Sequence, residues 1–283
     1  MSSLKRKPID YIGTVLRFVL LAAYLVVVLF PFFWILSTSL KGSQAEIYAY
    51  PVIYWPENPT LLNYSEIIRI GNFGKYFLNS FLTAGLGATG AVIVSIFAAY
   101  VLARYDFKLK GTVLFLFLFT QMIPIFISLA PLYQMLSAVG LSNSRTGLCL
   151  VFMSSMIPYS IVNLRGFFQG IPSSLEEAAT IDGCTRLQAM FHVVLPLIKP
   201  GIATTFIFSF INAWNDVFTA NMLISSDELK TIPVALNSFI LKFDIKWGEL
   251  SAGVMLSVIP SVILFALIQK HMGTGLTAGA VKG

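Results

Sequence analysis

The sequence predicts an all-α integral membrane protein of six transmembrane helices, with one ordered cytoplasmic loop between the fourth and fifth. Three observations predict it. Hydrophobic residues make up 57% of the 283-residue chain and charged residues only 11%, against about 25% charged in ordinary soluble domains. Uncharged stretches recur at lengths near the ~20 apolar residues that cross a ~30 Å hydrocarbon core. Lys and Arg also concentrate on the connections that one orientation places inside the cell.

The first helix is Phe18–Leu40, 23 uncharged residues. A basic start precedes it, as in a signal peptide. Its apolar span, however, exceeds the roughly 7–15 residues of such a segment and no cleavage site follows, so it reads as an uncleaved anchor. The second helix lies in Tyr76–Ala103, 28 residues. Gly111–Ser144 is 34 residues, too long for one crossing; a third helix fills about its first two thirds and "VGLSNSR" is its exit loop. The fourth is Thr146–Leu164, 19 residues, the fifth is Pro200–Ser226, broken only by Asp216, and the sixth is Leu250–Gln269, 20 residues. Pro124 and Pro131 in the third helix and Pro158 in the fourth predict kinks.

With the N-terminus inside, twelve Lys and Arg fall on cytoplasmic segments, including Lys5, Arg6, Lys7, Arg104 and Lys282, and seven fall outside. Both termini are therefore expected in the cytoplasm. Topology thus accounts for the net charge of +6, and no basic run exceeds "KRK" at 5–7, so no nucleic-acid partner is expected. Cys149 and Cys184 suggest neither a disulfide nor a metal spacing. His192 and His271 stand alone as solvated or packed residues, and no cofactor is expected.

The loops differ in character. Residues 41–75 face outside, with Pro51, Pro56 and Pro59 among Tyr48, Tyr50, Tyr54 and Trp55. Proline stiffens such a loop; its aromatics suit either an interfacial belt or a docking surface. Residues 227–249 form a second outer loop of mixed charge. The terminal "MGTGLTAGAVKG" is glycine-rich, which disfavours a helix, so a flexible tail is expected.

The connection between the fourth and fifth helices is unlike the rest. "SSLEEAATIDGCTRLQAMFHVVLPLIKPG", residues 173–201, reads as soluble helix. Ser173 as N-cap and Glu176 three residues on predict a capping box, and Glu176 and Glu177 suit the first turn of a helix. Leu175, Ala178, Ala179 and Asp182 share one face at helical spacing. Gly183 permits a helix end. A second helix, Thr185 to Val194, is expected to stop at Pro196, and Pro200 to open the next span. A connection needs only a few residues, so about thirty ordered ones suggest a docking element.

Glu177-Ala178-Ala179, three residues, Gly183, nine residues, Val193, then Leu195-Pro196 resembles the EAA loop of ABC importer permeases, which usually have Ile where this chain has Val193. "NAWNDVF" at 212–218, "TIPVALNSF" at 231–239 and "GLTAGAVKG" at 275–283 resemble the carbohydrate branch, in the subunit similar to the second maltose-type permease. The resemblance implies residues 1–71 as N-terminus, first helix and outer loop, and 72–270 as the transporter core with its coupling loop at 172–196. Residues 271–283 follow as a cytoplasmic tail.

It further implies a prokaryotic inner-membrane subunit that pairs with a second permease around a path for a sugar. Two cytoplasmic ATPases would grip the loop and an extracytoplasmic solute-binding protein would deliver substrate. The chain has no G-x-x-x-x-G-K-[ST] phosphate loop, which fits hydrolysis on partner chains and no enzymatic role here. By the resemblance, Glu177 pairs with a basic group of the ATPase and Ala178 and Ala179 allow close fit. Asp182 shares that face, Gly183 makes the turn, and Leu195 and Pro196 close the motif. Candidates for the substrate path are Asn212, Trp214, Asn215 and Asp216, with Gln121, Asn143 and Asn163 behind them. Asp216 lies about 24 Å along its helix from Pro200, near the outer interface, which leaves binding, gating and structural roles open. A gradient-driven secondary transporter is the alternative, but such a carrier needs intramembrane ionisable groups and only Asp216 offers one. An intramembrane enzyme would need a constellation of nucleophile, base or metal ligands, which is absent.

Overall fold

A computed structural model of the chain describes residues 8–69, 72–240 and 245–280. Every regular element among them is helical: α1 (Pro8–Leu40), α2 (Gln44–Ile47), α3 (Leu62–Arg69), α4 (Phe73–Arg104), α5 (Lys110–Met122), α6 (Ile125–Ala138) and α7 (Arg145–Gln169). There follow α8 (Ser174–Ile181), α9 (Arg186–Leu197), α10 (Lys199–Trp214), α11 (Phe218–Leu223), α12 (Ile232–Ile240) and α13 (Trp247–Ala280). The basic start at Lys5–Lys7, and Lys242 and Lys282, lie outside the described residues.

Among the described residues four helices (α1, α4, α7 and α13) are long and apolar enough to cross a membrane, and the count reaches six if each of two bent pairs is one span. The third expected span is one such pair. α5 and α6 meet at 99° because Ile123 before Pro124 leaves the helical region for φ −78, ψ 119, as steric clash with a following proline ring demands. Pro131 and Pro158 instead lie inside α6 and α7, which continue through them. α9 and α10 form the other pair, bent by 75°. The expected fifth helix, Pro200–Ser226, stops at Trp214, and α11 follows it. The expected outer loop 227–249 holds α12, an apolar helix with Ile232, Val234 and Ala235 buried. The expected flexible tail is corrected for its described part: α13 stays helical through Ala280, since extending an existing helix avoids the cost of nucleation.

The chain divides into two units, Met1–Asn72 with Lys242–Leu256 and Phe73–Leu241 with Ser257–Gly283. In the first, the proline- and aromatic-rich loop folds back on the end of α1. Ser37 donates to the Tyr54 carbonyl at 2.6 Å, Trp34 meets Tyr54 edge-on and Phe33 stacks on Trp55. Lys41 is buried over the Trp34 ring, 5.1 Å from its centroid. The Asn63 amide ties α3 to the Ser39 and Lys41 carbonyls.

In the second unit α4, α7 and α10 form the core. Without a hydrophobic force between helices in lipid, association relies on close packing and interhelical hydrogen bonds. α4 accordingly buries small residues, Ala84, Gly87, Ala88 and Ala91, and it meets α7 closely at Gly87, where a Cβ would lie 2.9 Å from the Phe152 Cβ. Asn163 donates to Thr205 at 2.8 Å and the Ser160 and Ser209 hydroxyls meet at 3.3 Å, both across α7 and α10. Asn163 is thus a helix-to-helix tie. Asn143, at φ 50, is a loop clamp whose amide oxygen accepts from the Ser225 and Ser226 N–H groups. Gln121 is exposed.

Candidate functional site

Segment 172–198 is built of two unlike helices. α9 is the buried one. Ala189, Met190 and Val194 are fully buried, and Met190, Val194 and Ile198 pack against Ala99 and Tyr100 of α4 and Leu164 and Phe168 of α7. Its start carries the capping box, in which Thr185 accepts from Gln188 N–H and the Gln188 side chain accepts from Thr185 N–H. The box expected at Ser173 and Glu176 does not form: Ser173 has helical φ −63, ψ −26 and its side chain caps nothing. α9 also runs through Pro196 to Leu197 rather than stopping before it. Its middle, Met190–Val194, widens to a π-helix in which Leu195 N–H bonds the Met190 carbonyl. That widening accommodates a proline that lacks an N–H and crowds the carbonyl four residues back.

α8 is the exposed helix, and Gly183 ends it as expected. At φ 92 it lets the Cys184 N–H bond the Ala179 carbonyl at 2.9 Å and its own N–H bond Thr180 at 3.1 Å, the paired bonds of a Schellman end. Of the face expected to be free, Leu175, Ala178 and Asp182 are exposed, but Ala179 is 8% exposed and packs inward. Glu177 is exposed. Ile181 is 86% exposed and Leu187, at the head of α9, 59%; so much open apolar side chain beside a carboxylate suits a protein partner. Leu195 is half-buried and Pro196 exposed.

Glu176 does something the sequence did not disclose. Its carboxylate pairs with Arg104 at the end of α4, and each side chain is only 13% exposed. Tyr100 donates to the other carboxylate oxygen at 2.7 Å, and Arg104 also donates to the Ile171 carbonyl at 3.0 Å. Arg186 stands over the Tyr105 ring, 5.4 Å from its centroid. These groups line an open cavity of roughly 450 Å³ that reaches Glu177, Thr180 and Ile181. Removing one partner from a buried ion pair costs about 3–5 kcal/mol, so this pair fixes α8. Just beyond, Lys110 bonds Asp106 at 2.8 Å and holds its carboxyl below the usual range.

The four path candidates separate. Trp214 is 2% exposed: its indole N–H donates to the Ser257 carbonyl at 3.0 Å, its ring stacks on Phe210, and Phe77 meets it edge-on. It is a core residue. Asp216 stands at the start of α11, accepting from the Ala220 N–H at 3.0 Å and from the Thr219 hydroxyl at 2.9 Å. Asn212 and Asn215 are exposed, and the Asn212 amide donates to the Phe208 carbonyl of its own helix. Among the described residues, no three His, Cys, Asp or Glu side chains gather to hold a metal ion.

Residues 91–277 match the family described as "Binding-protein-dependent transport system inner membrane component". The chain is 38% identical over 271 residues to the sulfoquinovosyl glycerol transport system permease protein of Agrobacterium fabrum, covering 96% of this chain and 95% of that protein. To a diacetylchitobiose uptake system permease protein of Streptomyces coelicolor it is 34% identical over 254 residues, 90% of this chain and 92% of that one. In three dimensions it is similar to a chain of a bacterial ABC transporter involved in importing the acidic polysaccharide alginate. The TM-score is 0.82 at 23% identity, covering 95% and 99% of the two chains.

Proposed function

Because the chain belongs to the family of binding-protein-dependent transport system inner membrane components, a family of transport subunits rather than enzymes, we propose that it is a permease half of an ATP-driven sugar importer. With a second permease it forms the path for a sugar or oligosaccharide, the substrate class in the names of its relatives. An extracytoplasmic solute-binding protein delivers the sugar, and two cytoplasmic ATPases grip segment 172–198. ATP closes the ATPase pair, moves the gripped segments and rocks the helix bundles between outward and inward access.

The observation that carries this reading is the division of labour in the segment. α9 is anchored in the core while α8 holds Leu175, Glu177, Ala178 and Ile181 open. An anchored helix with a free apolar and acidic face is what a gripped element requires. Glu177 offers the carboxylate for a basic group of the ATPase, Ala178 lets the surfaces approach, Asp182 extends the face, and Gly183 sets the angle between α8 and α9. Ala179 serves from within, as packing. On the path, the exposed amides of Asn212 and Asn215 take the hydrogen-bonding role, while Trp214 and Asp216 hold the end of α10 and the turn after it.

The test is purification of the tagged chain from its native membrane, with uptake of a labelled oligosaccharide mixture by the same cells. The expected result is copurification of an ATPase and a second permease, and loss of uptake on ATP depletion with the ion gradient intact. Uptake that follows the ion gradient and ignores ATP would instead establish a gradient-driven carrier.

A further inference from the structure

We propose that Glu176 and Arg104 form a latch through which motion of α8 reaches α4, and that α4 carries it as one rod to residues 225–232 at its far end. The proposal rests on the permease reading above. The two adjacent carboxylates of α8 point different ways, as residues about 100° apart on a helix must. Glu177 faces out, whereas Glu176 faces α4 and is held there by Arg104 and Tyr100. Arg104 is in turn fixed by the Ile171 carbonyl at the foot of the same segment. The packing of the segment on α4 through Ala99, Met190, Val194 and Ile198 is apolar, and apolar contact is non-directional; it lets helices slide and turn. A charge-assisted pair has a fixed geometry. It converts a tilt of α8 into a pull on the last turn of α4.

α4 suits a rod. It has 32 residues and no proline, about 48 Å at 1.5 Å per residue. Its far end is stitched just as firmly. Tyr76 donates to Asp227 at 2.9 Å, the Asn79 amide donates to the Glu228 and Lys230 carbonyls at 2.9 and 3.0 Å, and Ser80 accepts from the Ile232 N–H at 2.8 Å. Lys75 pairs with Glu228 at 3.1 Å. Asn143 clamps the Ser225 and Ser226 N–H groups from the neighbouring loop. Both ends of α4 thus carry directional bonds. Glu176 and Arg104 are positioning residues: neither is assigned to ATP or sugar, and their work is to keep the ATPase's stroke in step with the outer end.

The test uses the whole complex in lipid vesicles, with Cys149→Ala and Cys184→Ser removing native thiols and Ser225→Cys as reporter. A membrane-impermeant maleimide reads the reporter with and without a non-hydrolysable ATP analogue. In the otherwise unmodified complex the analogue changes the labelling rate. In Glu176→Gln and Arg104→Met that change falls about tenfold or more, tenfold being the least expected from losing a charge-assisted hydrogen bond, while the ATPase copurifies undiminished. Arg104→Lys keeps an intermediate response, and the swap Arg104→Glu with Glu176→Arg recovers part of it. A full response in either single variant overturns the latch. So does loss of ATPase binding in both singles that the swap fails to restore, because the pair would then only shape the docking surface. An unmodified complex without an ATPase fails the permease reading instead, and the two failures are told apart.

Discussion

Parallel replacement of Gly183 by Asn, Ala and Val separates backbone strain from side-chain size at the turn between α8 and α9. A Cβ at this position meets nothing within 4 Å, while the backbone sits at φ 92. Added bulk therefore costs nothing by contact, and the whole penalty is conformational. For Ala it is about 1–2 kcal/mol, a factor of about 5–30 in the population of the opened turn. Asn tolerates positive φ through local hydrogen bonding and should cost less than Ala although it is larger. Val, β-branched, should cost most. Trypsin cleavage after Arg186, an exposed residue three positions on, is the assay. At trace protease the rate tracks the open population, and Arg186→Gln identifies the band. Cleavage should quicken in the order Gly, Asn, Ala, Val, with Ala about 5–30-fold faster than the parent. Faster cleavage of the Asn variant than of Ala, or no change in either, would refute strain as the reason for glycine.

Glu177→Lys should weaken ATPase retention about tenfold or more, since charge-assisted hydrogen bonds contribute about 1.5–3 kcal/mol, while leaving thermal unfolding of the chain unchanged; copurification and a melt in detergent check both. Trp214→Ala should destabilise the chain by about 3–5 kcal/mol, read as a fall in Tm, whereas Asn212→Ala and Asn215→Ala should lower uptake at limiting sugar and leave Tm alone. Asp216→Ala should cost about 1 kcal/mol as a lost cap, and amide exchange should rise in α11 before it rises elsewhere. Gly87→Val should overpack α4 against α7 at about 1–3 kcal/mol, visible as reduced yield of folded chain.

Much of the fold was legible because lipid allows few solutions: Tyr76–Ala103 and Thr146–Leu164 had to be helices once their length and lack of charge were seen. Bends were less so. Pro124, Pro131 and Pro158 look alike in sequence, but only Pro124 separates two helices; whether neighbouring helices re-satisfy the freed carbonyl is a tertiary fact. The turn at Gly183 was local chemistry and was readable. Capping was less so: the box expected at Ser173 and Glu176 does not form, and the one the structure builds, Thr185 with Gln188, starts the next helix. Glu176 was free to leave its cap because Arg104, 72 residues away in sequence, offered a stronger partner. Such a pairing has no local signal. Trp214 and Asp216 read as path residues because an aromatic and an acid are conspicuous in an apolar span. Their roles follow from the Ser257 carbonyl and from the start of α11, neither of which spacing discloses.

The most direct measurement of the central claim places a photoreactive benzophenone amino acid at Ile181, the most exposed apolar side chain of α8, in cells that express the whole transporter. After irradiation the adduct is purified and its partner sequenced. The account predicts a soluble ATPase carrying a G-x-x-x-x-G-K-[ST] phosphate loop. An adduct only with lipid, or with a protein lacking that loop, would contradict it.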